Sequence, residues 1–156
     1  MSDWVNHLST AFPEVRLKRF LEMRGADSGP WRWFPALPAF WVGLLYDSVA
    51  LDAAWELVKD WTAEERQRLR DSVPKLGFKA SIRSLNMRDL AAQTLALACE
   101  GLKRRNRRAN GADESCHLAP IEDIVARGVT PAEDLLAKYH GPWRGSLEPL
   151  YTEYAY

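Results

Sequence analysis

PEVRLKRFLEMRGAD, residues Pro13 to Asp27, decides how this chain is read. From Glu14 to Arg24 it runs eleven residues with no Gly or Pro. Side chains alternate across an extended strand. That reading puts Arg16, Lys18, Phe20, Glu22 and Arg24 on one face, and Val15, Leu17, Arg19, Leu21 and Met23 on the other. A strand of this length spans on the order of 36 Å at about 3.3 Å per residue. No second convincing strand follows. A lone strand leaves its backbone donors and acceptors unpaired, so it needs a partner. The pattern therefore predicts a strand completed by another chain or by sequence not present here.

The mostly apolar face suits packing beneath helices. The other face lines up three cations with one carboxylate. In the strand reading, Glu22 and Arg24 have bases about 7 Å apart. A carboxylate beside cations is useful where a magnesium–nucleotide meets an anionic substrate. Carboxylate oxygens hold a hard cation, while Arg and Lys hold phosphate and carboxylate oxygens. Phosphoryl transfer needs mostly this electrostatic positioning. The alternative, on pattern alone, is a solvated edge strand guarded by its charges. One carboxylate is not a metal site by itself.

Beyond Gly25 the pattern turns helical. GADSGPWRW is a turn-rich linker. Pro38 fits the first turn of a buried helix, PAFWVGLLYD. SVALDAAWELVKDW spaces Val49, Leu51, Ala54, Trp55 and Val58 as a helix does. Thr62 and Glu65 form a capping box. Asn86 caps the longest predicted helix, with Leu90, Ala91, Leu95, Ala98 and Leu102 inward. Gly128 marks a helix end. Thr130, Pro131, Glu133 and Gly141 bracket another helix, and SLEPLYTEYAY suggests a short last one. The predicted architecture is mainly α with one long N-terminal β-strand. Residues 1–27 form the strand segment, and residues 28–156 form a helical region of about six helices.

At 156 residues the chain is one domain's worth and can bury a core without disulfides. Its 21 basic and 21 acidic residues cancel, which gives no push toward nucleic acid or an acidic membrane surface. The longest apolar run, FPALPAFWVGLLY, has 13 residues and two prolines, too short to span a bilayer. The opening MSDWVNHLST lacks the apolar core of a signal peptide. Two cysteines, Cys99 and Cys116, fit a reducing compartment. The expectation is a cytoplasmic chain.

NHLSTAFPEVRLKRFLEMRGADSGPW followed by ALPAFWVGLLYD resembles glutamate–cysteine ligase of the plant and proteobacterial type. The resemblance continues in order through VKDWTAEER, RDL, IVARGVTPAEDLL and GPWRGSLEPLYTEYAY, and so covers nearly the whole chain. It corresponds to the C-terminal part of that enzyme. It implies a fragment of a glutamine-synthetase-like α+β fold, in which a curved sheet forms a funnel and helices pack outside. The implied reaction joins L-glutamate and L-cysteine at the expense of ATP. The γ-carboxylate is first phosphorylated to an acyl phosphate, which the cysteine amine attacks. Mg²⁺ bridges the nucleotide phosphates and the reacting carboxylate. The resemblance makes Glu22 a magnesium ligand and Arg24 the contact to the transferring phosphate or substrate. Arg16 and Lys18 become substrate or nucleotide contacts. His7 and Thr10 lie in the matching HLST segment without an assigned role. The partner implied is the N-terminal sheet portion of the enzyme, without which this chain is expected to be inactive.

Some positions depart from the family. Plant members carry a redox-active cysteine before ALPAFWVGLLYD, and Pro35 stands there in this chain, so no such switch is expected. GFKASIR differs from the more usual Lys-Thr-Pro-Phe-Arg, which leaves Lys79 and Arg83 without a carried-over role. A reading from a different class is a non-catalytic helical module, or a split-enzyme subunit, whose strand completes a partner sheet. LKRRNRRANG reads as cations complementing a helix C-terminus, with an RNA contact as the outsider. Cys116–His117 has no second pair at zinc-ligand spacing. Cys99 reads as a buried thiol, His140 as a helix-end residue, and the tryptophans as mostly core.

Overall fold

The computed structural model describes Asp3, Trp4, His7, residues 14–27 and residues 29–155. Thr10 and Pro13 lie outside the described residues. His7 stacks on Trp4, with ring centroids 5.8 Å apart.

Among the described residues the chain is mostly helical, with three small antiparallel hairpins. The single long strand is not what forms. Val15–Leu17 (β1) pairs with Leu21–Met23 (β2), in the register Val15 to Met23, Arg16 to Glu22 and Leu17 to Leu21. Lys18 N donates to Phe20 O at 2.9 Å inside the turn, and Arg24 N donates to Glu14 O at 2.7 Å at the open end. The physical reason is the one that made a lone strand unfavourable. By folding back, the segment pairs its own backbone groups. The turn, Lys18-Arg19-Phe20, carries none of the Gly, Pro, Asn or Asp residues that usually announce one.

Helix α1, Ala36–Leu45, buries Ala36, Ala39, Gly43 and Leu44. Helix α2, Ser48–Val58, starts at Asp47, whose carboxylate accepts from Ala50 N at 2.8 Å. Helix α3, Ala63–Leu76, opens on the expected capping box: Glu65 N donates to Thr62 Oγ1 at 3.2 Å, and Thr62 N to Glu65 Oε2 at 2.9 Å. Helix α4, Met87–Arg105, is the longest, capped by Asn86 and stopped where Asn106 turns left-handed at φ 49°. Helix α5, Ala119–Arg127, ends at left-handed Gly128. Helix α6, Pro131–His140, has the Thr130–Glu133 box, and α7 spans Glu148–Glu153. Two short hairpins flank α4: Ser81–Ile82 (β3) with Leu85–Asn86 (β4), and Arg108–Ala109 (β5) with Ala112–Asp113 (β6).

The core is the α1–α4 crossing. Ala39, Leu44, Leu95, Ala98, Leu102, Leu118 and Val125 form one buried cluster, with Phe40 and Trp41 packed on it. Two glycines let the helices touch backbone to backbone. A Cβ at Gly43 would stand 2.2 Å from Ala98 O, and one at Gly101 would stand 2.1 Å from Gly43 O. This crossing replaces side-chain interdigitation with close backbone contact.

Two packing expectations are corrected. Trp55, at helical spacing with apolar neighbours, is 58% exposed, and Val49 and Leu51 are exposed with it. Helix α2 meets α1 and α4 through Ala50, its only fully buried residue, with Ala54 partly buried against the core. The apolar hairpin face, expected beneath helices, is open: Leu17 is 80% exposed, and Val15 and Leu21 are exposed too. An ion pair from Glu14 to Arg70 of α3 ties the hairpin to the helical region.

Candidate functional site

The hairpin register builds the site. Directly paired residues share a face, so Arg16 and Glu22 meet across the strands rather than along one. Lys18 at the turn and Arg24 at the exit of β2 reach the same carboxylate. Glu22 Oε2 lies 3.7 Å from Arg16 Nε and 3.5 Å from Lys18 Nζ. Glu22 Oε1 accepts from Arg24 Nη1 at 3.3 Å. All four residues singled out in the sequence therefore converge on one point.

The electrostatics follow from this packing. Partial burial pushes the Glu22 carboxyl up, but Lys18, Arg24 and Arg16 outweigh it and hold it below the usual carboxylate range. Among the described residues the cluster gathers three cations around one carboxylate. Lys18 also lies over the Phe20 ring at 5.8 Å. Glu22 Oε2 is shielded from solvent and lies between Lys18 and Arg16 at ion-pair distance, with no hydrogen bond to either among the described residues.

That oxygen suits one position in the shell of a hard divalent cation. It does not make a shell, which for magnesium needs six oxygens. Among the described residues no group of three or more His, Cys, Asp and Glu side chains could hold a metal.

A cavity of about 730 Å³ opens two residues past Arg24, lined by Ala26, Asp27, Trp33, Phe34, Leu37 and Ile124 among others. It is mostly apolar. Its α5 wall comes from residues nearly a hundred positions away in sequence. Trp31 stacks on Phe34 with centroids 5.6 Å apart and is itself exposed, against the core expectation.

Other sequence candidates are used by the fold. Arg83, in a left-handed turn, donates to Glu65 from Nε and Nη2 at 2.8 Å and to the Asp60 carbonyl. It clasps the start of α3. In the basic stretch, Lys103 pairs with Glu100 at 2.9 Å, Arg104 with Asp47 at 2.8 Å and Arg105 with Glu114 at 3.4 Å. Cys99 is half-buried, and His140 is the last residue of α6, edge-on to Tyr139. Among the described residues no single helix is long and apolar enough to cross a membrane.

The fold and site define a mainly helical segment that carries a cation-rich hairpin organised on one carboxylate. The chain belongs to glutamate-cysteine ligase family 2 (GCS2), whose model matches residues 1–153. It is 51% identical over 156 residues to the chloroplastic glutamate–cysteine ligase of Nicotiana tabacum, and covers 100% of this chain but 29% of that protein. The Arabidopsis thaliana enzyme is 51% identical over 155 residues, covering 99% and 29%. The chloroplastic ligase A of Oryza sativa subsp. japonica is 49% identical, covering 100% and 31%. The chain thus spans under a third of the length of these relatives. Their chloroplastic assignment overturns the cytoplasmic placement read from the sequence.

Proposed function

We propose that this chain is the C-terminal segment of a glutamate–cysteine ligase, which joins L-glutamate to L-cysteine with ATP. The family match along residues 1–153 carries the reading, and the convergence of three cations on Glu22 supports it. In the complete enzyme the hairpin is part of a glutamine-synthetase-like funnel, with residues 1–27 as its sheet segment and residues 28–156 packed outside. The glutamate γ-carboxylate takes the γ-phosphoryl group of ATP. The cysteine amine then displaces phosphate from the acyl phosphate, leaving the γ-glutamyl amide, ADP and phosphate.

The residues of this chain act by position and charge. Arg24, held by Glu22 Oε1, contacts the transferring phosphoryl group or the substrate carboxylate. Arg16 and Lys18 hold substrate or nucleotide oxygens on the same face. Glu22 Oε2 supplies one oxygen ligand to Mg²⁺. A magnesium ion held there with ATP would supply charge neutralisation to the phosphate oxygens. The remaining ligands and the neighbouring strands come from the enzyme's N-terminal sheet portion.

This predicts that the isolated chain has no ligase activity. Release of ADP with glutamate, cysteine and Mg–ATP measures it, and robust turnover by the chain alone would sink the incompleteness. The open apolar face of Val15, Leu17 and Leu21 favours a second reading: a split-enzyme subunit or non-catalytic module that docks on a partner sheet. Native mass measurement and pull-down with a separate N-terminal half separate the two. A stable monomer with no affinity for that half argues against the second.

A further inference from the structure

We propose that a cavity between the linker and helices α5 and α6 binds a zwitterionic amino acid with an apolar or aromatic side chain. The cavity holds about 320 Å³, near the low end of ligand sites, and has room for one amino acid. It shares no residue with the hairpin cluster, and the inference does not depend on the reaction proposed above.

The walls supply both halves of such a ligand. Trp31–Trp33 form a single 3₁₀ turn, and the Trp33 ring packs on Gly29, where a Cβ would stand 2.3 Å from it. Trp33, Pro120 and Ile124 give the cavity its apolar surface. The charges follow from helix spacing. Asp123 and Arg127 stand one turn apart on α5, and Asp134 comes from α6. Arg127 Nε donates to Asp123 Oδ2 at 2.8 Å, and Arg127 Nη1 donates to the two Asp134 oxygens at 3.1 and 2.8 Å. One cation holds two carboxylates, so among the described residues this trio keeps one negative charge. Arg32 stands over the Trp33 ring, 5.9 Å from its centroid, and pairs with no carboxylate among the described residues. The trio is accounted for as a tie between α5 and α6. Arg32 ties no such elements together. With Arg32 included, two cations and two carboxylates line the cavity and their formal charges cancel. A bare anion or a bare cation gains on one side and loses on the other. A zwitterion gains on both. Its carboxylate meets Arg32, its ammonium meets the aspartates, and an apolar side chain covers Trp33 and Ile124.

The test is NMR titration of the full chain with L-phenylalanine, and with phenylpropanoate and phenethylamine, which keep the ring and lose one charge each. L-phenylalanine should shift the Trp33 indole signal with an affinity of about a millimolar. Each analogue should bind about fivefold more weakly, the scale of one exposed ion pair. Arg32→Gln should weaken L-phenylalanine and phenylpropanoate by a similar factor and leave phenethylamine unchanged, with Arg32→Lys recovering part of the loss. If all three ligands bind alike, the charges recognise nothing and the proposal is overturned. If Arg32→Gln weakens the amine as much as the acid, Arg32 does not hold the carboxylate and the proposal fails. L-glutamate binding as tightly as L-phenylalanine would refute the apolar side-chain preference. Absence of any shift at concentrations well above the millimolar range overturns it without a variant.

Discussion

Replacing Gly101 with Ala puts two opposing effects at one point. Alanine in a helix interior is favoured over glycine by about 0.8–1 kcal/mol. Against this, the new methyl would stand 2.1 Å from Gly43 O, 3.0 Å from Gly43 C and 3.2 Å from the Ala50 Cβ. The first two are backbone atoms of α1, so no rotamer change can relieve the clash. The helices must part by roughly an ångström, and the contacts of Ala98 and Leu102 loosen with them. Overpacking of this kind costs about 1–3 kcal/mol and more when backbone must move. Because the clash is with backbone, the upper end of that range applies and the steric effect wins, with a net loss of about 2 kcal/mol. For a chain of this size that lowers the melting temperature by about 4–8 °C. Urea and thermal unfolding followed by circular dichroism measure it. Gly25→Ala is the control, because its Cβ would meet the Glu14 side chain at an ordinary 3.7 Å. An unchanged or raised melting temperature for Gly101→Ala would refute the close crossing as the centre of the core.

Two further outcomes follow from the caps and clasps. Glu65 is held down to about 2, first by the Arg83 hydrogen bonds and then by Thr62 N, against an ordinary value of 4.5. A depressed carboxyl stabilises the fold above its unfolded value and loses that contribution as pH falls from about 4.5 toward 2. Arg83→Gln should move the Glu65 carboxyl upward in a carbon-detected NMR titration and flatten the acid-induced loss of stability over that window. Asp47→Ala removes both the α2 cap and the Arg104 partner. It should cost about 0.5–2 kcal/mol in urea unfolding, with Asp47→Asn recovering the capping part. Equal losses for Ala and Asn would show that the cap is not the source.

Much of the helical region was legible in sequence because its signals are local. A Thr followed three residues later by Glu states a capping box at Thr62 and at Thr130, and both form. Gly128 and Asn86 mark ends for the same reason: one tolerates a left-handed φ and the other offers a side-chain acceptor. The α4 pattern of Leu90, Leu95, Ala98 and Leu102 is buried as its spacing says. Trp55 shows the limit of that logic. Its spacing puts it on an apolar face, but α2 packs on its neighbours through the small residues Ala50 and Ala54, and which face is covered depends on elements far away in sequence.

The hairpin marks the same boundary more sharply. Sequence alone determined that Val15–Leu17 and Leu21–Met23 are extended and that Arg16 and Glu22 share a face, because alternation survives in either a strand or a hairpin. It could not determine that the chain folds back at Lys18-Arg19-Phe20, since no residue there demands a turn. Tertiary structure decided it, through the need of backbone donors and acceptors to find partners within reach. That fold-back set Arg16 opposite Glu22, brought Lys18 and Arg24 onto the same carboxylate, and turned a line of charges into a cluster.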